Sequence, residues 1–197
     1  TNYNASEVYM WWKSDPSQPV ADINALYINL PFATKELNLE QQHGYAMLCG
    51  VMRPKSRGSV TLSSSDPRSD PLVDPNYLSV DQDLIALKAA TELARAIGNS
   101  DAYKDIRKAE LMPARAALSP TEYRDYLRKS VSTYFHPVGT AKMGSDAHSV
   151  VDPQLRVYGI QGLRVADASV MPTITTGNTN APSILIGWKA AKMIAAA

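Results

Sequence analysis

The chain has 197 residues, 45% of them apolar and 20% charged, with 20 Lys and Arg set against 19 Asp and Glu. That length allows one domain or two small ones, and the balanced charge lacks the clustered basic excess of a nucleic-acid binder, so nucleic acid is excluded as an expected partner. A single cysteine, Cys49, excludes an internal disulfide and a cysteine-built metal site, which leaves no pointer to an oxidising compartment and favours a cytoplasmic address.

No apolar run approaches the ~20 residues needed to cross a bilayer, so no integral membrane segment is expected. Thr1 to Ser6 carry no signal-peptide pattern, and the lack of a starting Met leads to the expectation of a piece of a longer polypeptide.

Alternation of apolar and polar residues predicts strands over Glu7 to Lys13, Ile23 to Leu30, Tyr45 to Met52 and Ser59 to Leu62. In the second, Leu26, Ile28 and Leu30 line one face and Ala25, Tyr27 and Asn29 the other, the pattern of a half-buried antiparallel strand. Pro16, Pro31, Pro54 and Pro67 fall between the runs, where no ladder donor is needed. Leu84, Leu87, Thr91, Ala94 and Ile97 then recur at helical spacing, with Gly98 placed for a left-handed cap. Ser119-Pro120-Thr121-Glu122 predicts a capping box opening a second helix, with Tyr123, Tyr126 and Leu127 inward. Residues from Phe135 to Arg156 read as irregular, followed by a short strand at Leu163 to Ala166 and a last helix from about Pro182 to Ala195. Strands followed by helices predict an α+β fold: an antiparallel sheet with helices on one side. No three glycines satisfy G-x-G-x-x-G, so the phosphate-cradling turn of a dinucleotide domain is missing from this sequence.

Of three histidines, His43 and His148 lie in polar turns and read as solvated. His136 differs, being preceded by Tyr134 and Phe135, which desolvate it, and followed by Pro137, which restricts its backbone. From position alone a structural core histidine is favoured over a proton acceptor. A zinc site is not expected, because His136 and His148 match no helical ligand pair. A serine nucleophile lacks its Gly-x-Ser-x-Gly elbow. The segment Met171 to Pro182 sets Asn178, Asn180 and a Gly177 turn before the last helix, whose first N–H groups favour negative charge. The plainer reading is that Asn180 simply caps that helix, and both can hold.

Several ordered motifs then converge: Arg53-Pro54-Lys55-Ser56-Arg57-Gly58-Ser59-Val60, Pro75-Asn76-Tyr77-Leu78-Ser79, His136-Pro137-Val138-Gly139-Thr140, Gly162 to Pro172 and Gly177-Asn178-Thr179-Asn180-Ala181-Pro182. Together they resemble the C-terminal part of the glucose-methanol-choline (GMC) family of flavin oxidoreductases, in particular its choline-dehydrogenase-like and alcohol-dehydrogenase-like members. The resemblance implies FAD as cofactor and oxidation of a small alcohol to an aldehyde or ketone, with hydride passing to flavin N5. It implies His136 as the base and Asn178 as hydrogen-bond donor to the substrate oxygen. It further implies flavin contacts from Asp167, Ala168, Asn178, Thr179 and Asn180, with the last helix pointing its N-terminal end at the flavin. Residues 1–150 are then expected to form a substrate-binding domain and 151–197 to complete a flavin-binding domain, whose N-terminal nucleotide-binding half would be the chain's partner. A non-catalytic binding or assembly module and a cyanohydrin lyase are the alternatives within the family. Tyr9, Trp11, Trp12, Tyr134 and Phe135 are candidates for an aromatic substrate wall, with core packing as their ordinary reading.

Overall fold

A computed structural model describes residue 6 and residues 8–37, 39–40, 42–113 and 118–196. The chain divides into two compact units, Thr1–Arg57 with Asn76–Ser132 and Gly58–Pro75 with Thr133–Ala197. This grouping differs from a division at residue 150, because it places the His136 loop with the C-terminal helix.

In the first unit, strands β1 (Val8–Trp12), β2 (Ile23–Ile28) and β3 (Ala46–Val51) form an antiparallel sheet in sequence order. Glu7, the first residue of the predicted opening strand, lies outside the described residues. Register pairs Trp12 with Ile23, and Ile23 and Ala25 with Val51 and Cys49. Ile23, Cys49 and Val51 meet helix α1, which spans Asp81–Gly98 on the following stretch of this unit. Ala86 and Ala90 let the helix backbone approach Ile23, Cys49 and Val51 closely, while Leu84 and Leu87 pack with Leu78, Tyr123 and Leu127. Tyr123 and Leu127 belong to helix α2 (Pro120–Ser130), which opens with the predicted capping box. Ser119 Oγ accepts the Glu122 N–H at 3.3 Å, and Glu122 Oε2 accepts the Ser119 N–H at 2.9 Å. The α+β architecture follows as expected, an antiparallel sheet with α1 against it.

The predicted left-handed cap at Gly98 is not found. Asn99 closes α1 in right-handed geometry, its N–H reaching Arg95 O, and the Gly98 carbonyl accepts from Arg107 Nη1 at 2.6 Å. An arginine side chain thus satisfies an end carbonyl that a glycine turn would otherwise have served.

Cys49 is partly buried, its Sγ 3.5 Å from Ala90 O, and burial pushes the thiol from 9.0 up to about 11. The folded chain therefore holds this proton more tightly than the unfolded one. The stabilisation is present below pH ~9 and is lost as pH rises toward about 11. Iodoacetamide at pH 8 is expected to leave Cys49 unmodified in the folded protein and to alkylate it in urea, read by peptide mass mapping; equal labelling in both would contradict the burial.

The second unit holds a two-stranded antiparallel pair, β4 (Ser59–Thr61) with β5 (Leu72–Asp74), and helix α3 (Asn180–Ala195). β5 was not predicted. Gly58 leads into β4 where a Cβ would collide with the Asp74 carbonyl oxygen, so only glycine fits beside that backbone. The predicted strand at Leu163 to Ala166 reduces to an isolated Arg156–Arg164 bridge, because Gly159 and Gly162, both at positive φ, turn the chain too tightly for a ladder. Val151, Leu155, Val170 and Ala190 form the core here, with Met143, Val157, Ile186 and Met193 around it. Among the described residues no helix is long and apolar enough to cross a membrane.

Candidate active site

The buried pair Val170 and Ala190 ties a 3-10 turn at Ala168–Val170 to α3. The chain after His136 is stitched to that turn by Ala141 N–H to Ser169 O at 3.0 Å and Met143 N–H to Val170 O at 2.8 Å. Gly139, at φ +87°, makes the bend between His136 and these bonds, and a Cβ there would lie 3.2 Å from Met171 O. Phe135, 82% exposed, stands at φ +61°, a conformation a bulky residue adopts only under local constraint. Its N–H donates to Thr133 Oγ1 at 2.9 Å. The loop that carries His136 is therefore pinned on both sides of the histidine.

His136 is half-buried. Its Nδ1 lies 3.1 Å from Thr179 Oγ1, and the Tyr134 ring stands edge-on to it at 5.8 Å between centroids. With Nδ1 engaged, Nε2 is the nitrogen left for chemistry. Thr179 is buried at 8% exposure and occupies the cap position of α3; the helix begins at Asn180 rather than near Pro182. Asn180 is thus the first helical residue and not the cap. Asn178, exposed, immediately precedes Thr179, so the histidine loop and the carboxamide segment meet through that threonine. Thr175 Oγ1 donates to Gly177 O at 2.8 Å and shapes the turn before Asn178.

Asp167 caps the 3-10 turn by accepting the Ser169 N–H at 2.8 Å, and hydrogen bonds from the side chain and then the backbone of Ser169 hold its exposed carboxyl below the usual carboxylate range. Ala168 follows it in the same turn. His43 and His148 are exposed, as read from their turns. Trp11 and Trp12 are about half exposed, and Phe135 is more so; for these three the ordinary reading of core packing is overturned, since each lies on a surface.

A family model described as GMC oxidoreductase matches residues 54–187. The chain belongs to the GMC oxidoreductase family. It is 39% identical over 196 residues to an oxygen-dependent choline dehydrogenase of Brucella ovis, covering 98% of this chain and 35% of that protein. It is 37% identical over 191 residues to an alcohol dehydrogenase [acceptor] of Pseudomonas putida, covering 97% and 35%. The crystal structure of pyridoxine 4-oxidase from Mesorbium loti superposes with a TM-score of 0.91 at 31% identity, covering 98% of this chain and 38% of that one. This GMC oxidoreductase chain thus spans about a third of the length of the curated relatives it matches. GMC oxidoreductases are FAD-dependent flavoproteins. What sequence reasoning missed is the Thr179 side chain on His136. Threonine just before a helix signals a cap, and nothing local signals a partner 43 residues away.

Proposed function

We propose that this chain is the C-terminal part of an FAD-dependent enzyme that oxidises an alcohol to an aldehyde or ketone, with His136 as the base and Asn178 as hydrogen-bond donor to the substrate oxygen. The observation that carries the reading is the 3.1 Å contact that holds His136 at the N-terminal end of α3, beside the residue that follows Asn178. The end of α3 fits an electron-rich ring system. It has no acidic residue in its first turn and no side-chain cap from Thr179, and the N–H groups of Asn180 and Ala181, being in the first turn, have no intrahelical acceptor. Ile184, Leu185 and Trp188 are exposed on α3, an apolar surface suited to cover by the nucleotide-binding half of the enzyme. In this reading residues 1–150 serve the substrate and 151–197 complete the cofactor site, with Asp167, the Ala168 main chain, Asn178, Thr179 and Asn180 as contacts.

FAD, when bound, supplies the acceptor for the hydride that leaves the carbinol carbon. His136 Nε2 takes the hydroxyl proton and becomes the imidazolium as the C–O bond gains double-bond character. The Asn178 carboxamide N–H donates to the oxygen while it carries negative charge, and an amide does so without competing for the proton. Anaerobic addition of choline or benzyl alcohol to the complete enzyme is expected to bleach the flavin absorbance with aldehyde as product. Cyanohydrin cleavage without bleaching would replace oxidation by lyase chemistry, and failure of the complete protein to bind FAD would leave the non-catalytic module.

A further inference from the structure

We propose that Thr179 is a positioning residue for His136, its hydroxyl accepting the Nδ1–H and so holding the neutral ring in the tautomer whose lone pair is at Nε2. The inference rests on the reading of His136 as the base and adds what makes that base competent. A neutral imidazole carries one proton, and the hydrogen bond at one nitrogen decides which face can accept another.

Four observations carry it. The Oγ1 to Nδ1 distance is 3.1 Å, and Thr179 is 8% exposed, so water competes poorly for its hydroxyl. Thr179 stands at the cap of α3, where a threonine hydroxyl ordinarily accepts a first-turn N–H, yet its side chain makes no cap hydrogen bond. The hydroxyl is turned to the histidine instead. Its backbone does not need that cap to stay in place, because Thr179 O accepts both the Ser183 N–H at 3.0 Å and the Ser183 hydroxyl at 2.7 Å. Tyr134, edge-on at 5.8 Å, limits rotation of the ring from another side.

The direction of the bond follows from the chemistry. Were Oγ1–H to donate to Nδ1, the neutral ring would carry its proton at Nε2 and present a donor to the alcohol. With Oγ1 as acceptor, Nε2 offers a lone pair before proton uptake, and Nδ1–H still donates to Oγ1 afterwards. The ring thus passes from neutral to charged with no change of partner.

The test uses the complete enzyme with FAD, labelled with [15N]histidine, at a pH where His136 is neutral. The His136 signals are identified by their loss in His136→Gln. The expected spectrum shows the proton on Nδ1; a neutral ring protonated at Nε2 overturns the proposal, and this measurement needs no Thr179 variant to fold. Thr179→Val keeps the shape and removes the hydroxyl; it is expected to slow the limiting rate of anaerobic flavin reduction about 10- to 100-fold, with substrate Kd little changed and the Nδ1 proton lost. Thr179→Ser is expected to restore most of the rate and the tautomer. If His136→Ala abolishes reduction while Thr179→Val reduces at the parental rate with the parental tautomer, the role of Thr179 falls and the base stands. If His136→Ala itself reduces normally, the base falls and Thr179 has nothing to position.

Discussion

Replacing His136 with Ala in the complete enzyme is expected to slow anaerobic flavin reduction by the alcohol by about 100-fold or more while FAD stays bound. The size follows from the acidity gap: an aliphatic alcohol gives up its proton to water poorly at neutral pH, and a positioned imidazole removes that barrier. The loss should fall on the limiting rate rather than on substrate affinity, because a base that acts only as the C–H bond breaks contributes little to ground-state binding. Added imidazole should recover part of the rate in His136→Ala, since the space left by the ring lies beside a loop that is anchored without it. That loop is held by Ala141 and Met143 through their bonds to Ser169 and Val170. A variant that keeps the parental rate would place the proton acceptor elsewhere. A variant that loses its FAD would instead make His136 part of the cofactor's support.

The features legible in the sequence are those decided by short-range chemistry. Ser119, Pro120 and Glu122 lie within one turn, so the start of α2 could be read without knowing anything distant. The spacing of Leu84 and Leu87 predicted a helix, and the alternation around Ala25 predicted a strand with two faces. His136 stood out because two aromatics and a proline surround it. What escaped depends on partners far along the chain. Gly98 looked like a left-handed cap until Arg107 reached its carbonyl, and Asn180 looked like the cap until Thr179 took the position. β5 is three exposed residues with too little sequence pattern to read as a strand, held extended by pairing with β4. The Leu163 segment has strand composition, but two glycines at positive φ decide its path. The motif from Arg53 to Val60 was one of several that carried the family resemblance, and it gave no hint of what it does.

Part of what that motif does is structural, and it rests on Asp83. This carboxylate, in the first turn of α1, is 3% exposed. Its Oδ1 accepts the Lys55 N–H at 2.7 Å, and its Oδ2 accepts the Ser56 N–H at 2.7 Å and the Ser56 hydroxyl at 2.5 Å. Ser56 Oγ in turn accepts the Val80 N–H at 3.2 Å. Val80 is the cap residue of α1 and has no polar side chain, so a serine from a distant segment takes part in closing that helix end. Asp83→Asn preserves shape but turns an NH2 toward a backbone donor, which breaks at least one charge-assisted bond and weakens the others. At about 1.5–3 kcal/mol for a hydrogen bond to a charged group, the expected loss is about 3 kcal/mol of folding stability. Ser56→Ala removes one bond to the carboxylate and the Val80 contact, and is expected to lose about 1–2 kcal/mol. The double variant should lose less than the sum, because both act through the same carboxylate. Thermal and urea unfolding of the three variants would check the order. If Asp83→Asn unfolds with the parental midpoint, the Lys55 and Ser56 N–H groups find other acceptors, and the motif is held to α1 by something other than this carboxylate.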